Sequence, residues 1–116
     1  MKTFIHIIGD IKYIIKIGIN AKENWILIDN SYHEDLWFHL DEYPSAHVII
    51  SQETNNLDEI FYSNKIISIA SNYCKSNSKN SKNLHKVKIV YTEIKNLKKG
   101  KEIGSVIISK PNYMII

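Results

Sequence analysis

Apolar and polar residues alternate along two neighbouring segments, 35–40 and 46–51, and alternation with a period of two predicts β-strands. Each segment has one wholly apolar face, so the two strands can share one hydrophobic core. That face consists of Leu36, Phe38 and Leu40 in the first strand and of Ala46, Val48 and Ile50 in the second.

The opposite face of the same two strands has a different character. It carries Asp35, Trp37 and His39 in the first strand and His47 in the second. A hydrophobic core does not need a carboxylate, an indole and two imidazoles. We therefore interpret this second face as a candidate functional site.

Two capping-box patterns followed by apolar stripes predict helices over 20–31 and about 57–74. The first pattern is Asn20 with Glu23, and the second is Asn56 with Glu59. The remaining β-rich segments are a hairpin of 3–8 and 11–18, a strand at 86–92 and a final hairpin of 103–109 and 112–116. This order predicts an α+β fold, a mostly antiparallel sheet packed against two helices, in a single domain over residues 1–116.

Charge is distributed unevenly along the chain, although the net charge is only +3. Residues 23–59 contain nine acids and no lysine, whereas residues 75–101 contain nine lysines and one acid, Glu93. Every basic residue other than histidine is a lysine, which offers a point charge without the planar fork of arginine.

The lysine-rich segment is a candidate for phosphate contacts. We expect it to form two exposed loops, 75–85 and 95–101, around the strand at 86–92. Lysines among serine and asparagine side chains suit contacts to phosphate and ribose, which position a nucleic acid without reading its sequence. The predicted contacts are Lys75, Lys79, Lys82, Lys86, Lys88, Lys95, Lys98 and Lys99.

His39 and His47 are expected on neighbouring strands, and three interpretations of them stay open. They can hydrogen-bond the backbone or Asp35 and hold the loop between the strands. They can join Trp37 in a stacking platform for unpaired bases. They can also act as the acid and base of an RNA-cleaving enzyme.

Other features of the sequence narrow the class of protein. Cys74 is the single cysteine, which excludes an internal disulfide and fits a reducing compartment. No stretch reaches the ~18 apolar residues of a membrane span, so we expect a soluble, intracellular protein of the cytoplasm. The histidines lack the spacing of a zinc site and no glycine-rich phosphate loop is present, so no metal or cofactor is expected.

Four short blocks occur along the chain at 18–24 (GINAKEN), 35–39 (DLWFH), 45–48 (SAHV) and 90–99 (VYTEIKNLKK). In this order they resemble motifs of the NFACT-R domain, the nucleic-acid-binding module of NFACT proteins, which act in ribosome quality control. The third block is closer to the small free-standing eukaryotic members than to the long ribosome-associated ones.

The resemblance implies a non-enzymatic RNA-binding module, with tRNA or ribosome-associated RNA as the class of ligand and basic loops as the contact. A DNA-binding module of the same fold is an alternative, as is an RNA-cleaving enzyme using His39 and His47. A further alternative is an adaptor whose acidic segment, 23–59, meets a basic protein partner. Oligomeric state does not follow from the sequence.

Overall fold

The computed structural model describes residues 1–81 and 83–116. Within these residues, no helix has the length and apolar character needed to cross a bilayer. Two short 3₁₀ turns, Leu57–Glu59 and Ile94–Asn96, interrupt the chain. The helices and strands are β1 (Lys2–Ile8), β2 (Ile11–Gly18), α1 (Ala21–Asp29), β3 (Leu36–Leu40), β4 (His47–Gln52), α2 (Asn64–Ser76), β5 (Lys88–Glu93), β6 (Leu97–Lys99), β7 (Val106–Ile108) and β8 (Asn112–Ile115).

Six of these strands form one antiparallel sheet in the order β1-β2-β4-β3-β5-β8, while β6 and β7 pair as a separate hairpin. Strand β3 lies between β4 and β5, with Phe38 opposite Val48 on one side and opposite Tyr91 on the other. An antiparallel sheet packed against two helices confirms the predicted α+β fold.

Helix α2 covers the apolar face that the alternation predicts. Phe38 and Ile50 are fully buried there and pack with Ile66, Ala70 and Cys74 of the helix. Burial of each large apolar side chain contributes about 1.5–3 kcal/mol. This face therefore supplies the main core, and Cys74 serves it as a small apolar residue.

The opposite face of the sheet is also covered, by α1 and by the β6–β7 hairpin. Trp37, Ile49 and Val90 of the sheet pack there with Leu27 of α1 and with Ile94. The inference that a core does not need the indole on this face is wrong. Its centre is a second core, because short elements on either side bring enough apolar surface to bury the indole.

The predicted final hairpin of 103–109 and 112–116 is also wrong. Strand β7 pairs with β6, with Val106 opposite Lys99, and β8 pairs with β5 at the edge of the main sheet. Val106 and Ile108 belong to the second core beside Trp37. Both side chains are partly buried there, and this burial favours the observed pairing.

Helix α2 begins seven residues later than the sequence predicts. Asn56 caps only the short 3₁₀ turn, and Ser63 is the N-cap of α2, its hydroxyl accepting from the backbone of Ile66. Between Asn56 and Ser63, hydrogen bonds to other elements keep the chain from adopting the helical conformation. Phe61 donates its N–H to the side chain of Gln52 at 2.7 Å, and its carbonyl accepts from Tyr13.

Helix α1 begins where predicted, directly after the end of β2. The Asn20 side chain accepts from the backbone N–H of Glu23 at 2.9 Å. Glu23 turns back to the N–H of Ile19 and to the amine of Met1, at 3.2 and 3.1 Å. The carboxylate thus accepts hydrogen bonds from both groups near the start of the helix. These hydrogen bonds and the charge of the adjacent amine lower its pKa.

Candidate nucleic-acid interface

A cleft of about 750 Å³ opens at one end of the sheet, where β2 and β3 finish and β4 begins. The start of α1 forms one wall, the turn after α2 forms another, and the tip of the β6–β7 hairpin forms a third. The cleft therefore brings together segments that are far apart in sequence. Its polar side chains include Asn20, Asn24, His39, His47, Asn77 and Asn80.

The charge of this cleft is positive. Lys2 and Lys79 lie on its lining and are exposed to solvent. No carboxylate lines it within residues 1–81 and 83–116, in a chain that has 12 acidic residues. Lysines on a lining without carboxylates raise the local concentration of anions, so the cleft favours a negatively charged ligand.

The wall after α2 is held in place by hydrogen bonds to the loop between β3 and β4. The hydroxyl of Ser78 donates to the carbonyl of Cys74 at 2.6 Å and accepts from the N–H of Ala46 at 3.0 Å. The Asn80 amide donates to the carbonyl of Pro44 at 3.0 Å. The turn that carries Lys79 is thus fixed to the strand that carries His47.

Two imidazoles, His39 and His47, form the floor of the cleft, and the buried indole of Trp37 lies behind them. The indole N–H of Trp37 donates to Nδ1 of His47 at 2.9 Å, and His39 stacks on Trp37 with ring centroids 5.6 Å apart. The two imidazoles meet edge to face, with centroids 5.0 Å apart. As the sequence predicts, the two histidines lie on neighbouring strands and close to Trp37.

Burial sets the charge state of this floor. It lowers the pKa of His47 to about 3, and the neighbouring His39 pushes that pKa in the same direction. Burial also lowers the pKa of His39, against the effect of its hydrogen bond to the backbone of Leu40. Both imidazoles are therefore neutral at neutral pH.

Asp35 does not join the histidines. It lies at the far end of β3, four residues from His39, which is about 13 Å along a strand. Its carboxylate accepts from the N–H of Tyr32 at 2.9 Å, and burial raises its pKa. The interpretation that the histidines hydrogen-bond Asp35 is therefore wrong, because residues at opposite ends of one strand face point in the same direction but are too far apart for contact.

Trp37 does not offer a ring face to a ligand. Its side chain is fully buried between the sheet and the elements of the second core. The prediction that a base stacks on this indole is therefore wrong. Instead, Trp37 positions the two histidines: its indole N–H donates to His47, and its ring stacks on that of His39.

The candidate lysines do not gather into one patch. Lys75 and Lys79 lie at the end of α2, whereas Lys98 and Lys99 lie on β6, on the opposite face of the sheet. Lys82 lies outside the described residues. Strand β5 carries Lys88, and Lys86 precedes it as an exposed residue.

Acidic side chains already engage part of the lysine set. Lys88 lies 3.7 Å from Asp41, Lys95 lies 3.1 Å from Glu93, and Lys99 lies 2.6 Å from Asp29. Asp29 and Asp41 come from the acidic segment 23–59. Among the described residues, Lys75, Lys79, Lys86 and Lys98 have no such ion pair.

The family model described as the NFACT protein RNA-binding domain matches residues 2–110 of the chain. The chain belongs to the NFACT-R family. It is thus an RNA-binding module of the NFACT type, and the family predicted from the four sequence blocks is confirmed.

Curated relatives agree with this assignment. The chain is 34% identical over 88 residues to mouse coiled-coil domain-containing protein 25, covering 75% of this chain and 41% of the relative. It is 36% identical over 100 residues to the Dictyostelium discoideum homologue, covering 84% and 48%. This NFACT-R chain therefore spans less than half the length of the curated relatives it matches.

A solved structure shares the fold. It is the C-terminal part of the fibronectin/fibrinogen-binding protein from Streptococcus suis, with a TM-score of 0.76 and 27% identity. The match covers 90% of this chain and 40% of that one. The NFACT-R fold is thus common to a bacterial protein and to this chain.

Sequence reasoning missed several residues of the cleft. Lys2, Asn24 and Asn77 lie in it, although charge clustering and strand periodicity single out none of them. The available signal was the NFACT-R block at 18–24, which places Asn20 and Asn24 directly after β2. Three of the four NFACT-R blocks contribute residues to this one cleft.

Proposed function

We propose that this NFACT-R module binds RNA at the cleft, with phosphates held by the lysines that lack acidic partners. The observation that carries the proposal is the lining itself, with Lys2 and Lys79 on it and no carboxylate among its described residues. Family membership supports RNA as the polyanion, and we propose tRNA or ribosome-associated RNA, within translation or ribosome quality control, as the natural setting.

The geometry supports a selection among the lysines. Lys79 projects from a turn that hydrogen bonds fix to the rest of the cleft, and Lys2 reaches the same cleft from β1, where its ammonium donates to Asn77 at 3.0 Å. Lys88, Lys95 and Lys99 would have to leave an ion pair to reach a phosphate. We therefore propose that Lys79 and Lys2 contribute more to binding than these three.

We propose that His39 and His47 serve binding and not catalysis. Acid–base cleavage of RNA needs one imidazole that is protonated near neutral pH and one that is not. A pKa of about 3 leaves His47 uncharged throughout that range, and the pKa of His39 is lowered as well. Among the described residues, no group of three or more His, Cys, Asp or Glu side chains is arranged to hold a metal ion.

The test is the salt dependence of RNA binding, followed by fluorescence anisotropy with a labelled single-stranded RNA. Each neutralised phosphate contributes about −0.7 to the log–log slope. We expect Lys79→Gln to weaken binding of all RNA sequences alike and to make the slope shallower by about that amount. A salt-independent affinity in the wild-type chain would overturn the proposal.

Lys65→Gln is the matched control, because Lys65 is exposed at the opposite end of the same helix. It should leave both the affinity and the slope unchanged. Equal losses for Lys65→Gln and Lys79→Gln would mean that net charge and not the cleft drives binding. Repeating the titration with DNA of the same sequence decides the alternative ligand, since a tighter DNA complex would overturn RNA as the preferred polyanion.

A further inference from the structure

Asn24 is a buried polar residue without a hydrogen-bonding partner for its side-chain oxygen. Its side chain lines the cleft, the residue is only 6% exposed, and Oδ1 has no hydrogen-bond donor among the described residues. A buried polar atom left unpaired costs about 1–3 kcal/mol, so native folds keep few of them. Oδ1 is turned toward Gly18, and the soft terminal torsion of asparagine allows the amide to rotate when a ligand enters the cleft.

The imidazoles on the floor present complementary hydrogen-bonding atoms. Trp37 can only donate through its indole nitrogen, so Nδ1 of His47 is the acceptor and the proton of the neutral ring is on Nε2. The carbonyl of Leu40 can only accept, so Nδ1 of His39 carries the proton and Nε2 carries a lone pair. Side by side, the two rings thus provide one donor and one acceptor.

This chemistry does not suit a phosphate group. Phosphate oxygens are acceptors, and of the two imidazoles only His47 has an N–H left to donate to them, whereas His39 presents a lone pair. The edge of a nucleobase carries donors and acceptors together, and asparagine amides and histidine rings are among the side chains that recognise unpaired bases. The positive charge of the cleft comes from Lys2 and Lys79 and not from the imidazoles, which are neutral. Phosphates and a base can therefore bind at different positions in the same cleft.

The space is also sufficient. A second cavity of about 300 Å³ lies beside the cleft of about 750 Å³, and His39, His47 and Gly104 line both. Ligand pockets commonly measure about 300–1,000 Å³. Gly104 has a positive φ of 85°, and a β-carbon there would lie 2.7 Å from the backbone of Ala21, so the hairpin tip closes against α1 only with glycine.

We propose that the cleft receives one unpaired nucleobase of the bound RNA and reads it through Asn24, His39 and His47, while Lys2 and Lys79 hold the adjoining phosphates. This inference rests on the proposed RNA-binding function. It adds that the site recognises a base and not only a backbone, and that the base must be outside a helix.

The experiment compares short single-stranded RNA oligomers of A, C, G or U with an oligomer of equal length and charge that has no bases. Binding is measured at one salt concentration for the wild type, Asn24→Leu and His39→Phe. Leucine has the same number and branching of side-chain heavy atoms as asparagine but no polar atom, and phenylalanine keeps the ring on Trp37 but removes the lone pair of Nε2. Thermal unfolding of each variant shows that it is folded before binding is compared.

We expect the wild type to bind at least one of the four RNA oligomers about tenfold more tightly than the abasic oligomer, the size of one good base contact. Asn24→Leu or His39→Phe should bring that ratio close to one, because each weakens binding of the base-carrying oligomer more than binding of the abasic one. Lys79→Gln should weaken binding of both kinds of oligomer by the same factor and keep the ratio.

Two results would overturn the inference while the proposed function stands. One is equal binding of the abasic and base-carrying oligomers by the wild type. The other is an unchanged ratio in both folded variants, which would mean that any base is read elsewhere. Failure of the wild type to bind any oligomer at low salt would overturn the proposed function and this inference together.

Discussion

Both faces of strands β3 and β4 are buried, but their residues differ in polarity. The face under α2 is apolar along its length, from Leu36 to Leu40 and from Ala46 to Ile50. The face under α1 and the β6–β7 hairpin is apolar only in its centre, and at the cleft end it carries His39 and His47. Burial alone therefore does not separate core from site; the polar residues at the cleft end of one face do.

The largest contrast is expected from Phe38→Ala on the face under α2. Phe38 is fully buried and stacks on Tyr91 with ring centroids 5.3 Å apart. Removing its ring leaves a cavity in a packed core, so the free energy of unfolding should fall by about 3–5 kcal/mol. Urea denaturation measures this, and the RNA affinity of the molecules that remain folded should not change.

Phe61→Ala is the matched control, since Phe61 is 62% exposed and makes its tertiary hydrogen bonds through its backbone. We expect a loss under about 0.5 kcal/mol, as for other surface substitutions. If the two substitutions cost the same, the face under α2 is not the main core.

Trp37→Phe tests the other face. Phenylalanine keeps part of the packing but removes the N–H that His47 accepts, which leaves Nδ1 buried without a donor. The lost hydrogen bond and the smaller ring should together lower the free energy of unfolding by about 2–3 kcal/mol. Unlike Phe38→Ala, this change should also weaken the preference for base-carrying RNA, because His47 is no longer held in one tautomer.

The second tryptophan provides the comparison for this substitution. Trp25 donates its N–H to the carbonyl of Ser105 at 2.9 Å, but its ring is only half-buried, with Lys99 above it. Water can replace the lost donor at that site, so Trp25→Phe should cost less. A larger loss for Trp25→Phe would contradict the assignment of Trp37 as the support of the cleft floor.

The sequence alone predicts the face under α2 well and the other face poorly, for a physical reason. Alternation reports which residues of a strand share a face, so both faces of β3 and β4 could be assigned. It does not report what covers a face, and β6 and β7 are three-residue strands without any period to detect. The second core at Trp37 was therefore not predicted.

The same limit applies to the candidate site. The meeting of His39 and His47 follows from strand pairing and was predicted. Lys2 and Asn77 reach the cleft from elements distant in sequence, which no local pattern indicates. The ion pairs that engage Lys88 and Lys99 join the basic segment to the acidic one across the fold, and sequence spacing does not predict them.

Gly18→Ala sharpens the comparison at the border of the cleft. The φ angle of Gly18 is ordinary, but an added β-carbon would press against Oδ1 of Asn24 and lie 2.9 Å from a methyl group of Leu27. Overpacking of this kind costs about 1–3 kcal/mol, and it should displace the Asn24 amide from the cleft. Thermal unfolding and binding of base-carrying oligomers are both measured, and both should fall.

The double variant Gly18→Ala/Asn24→Ala separates crowding from other effects. Removal of the asparagine amide relieves the closest approach, so the second substitution should restore part of the stability that the first removes. A cycle in which the two losses simply add would mean that Gly18 is needed for some reason other than the side chain of Asn24.

The smallest expected effect is the pH dependence of stability, which depends on the floor of the cleft. The pKa of His47 is lowered from 6.5 to about 3 in the folded chain, so the unfolded chain binds the extra proton between these values. Stability is therefore full above pH 6.5 and falls as the pH drops, by about 1 kcal/mol between pH 7 and 5.5. His39 acts in the same direction, whereas the raised pKa of Asp35 acts in the opposite one.

His47→Gln keeps all the other titrating groups, so urea denaturation across this range should show a shallower fall for the variant than for the wild type. Parallel curves would mean that His47 reaches solvent and that the cleft floor is not as closed as its hydrogen bond to Trp37 indicates.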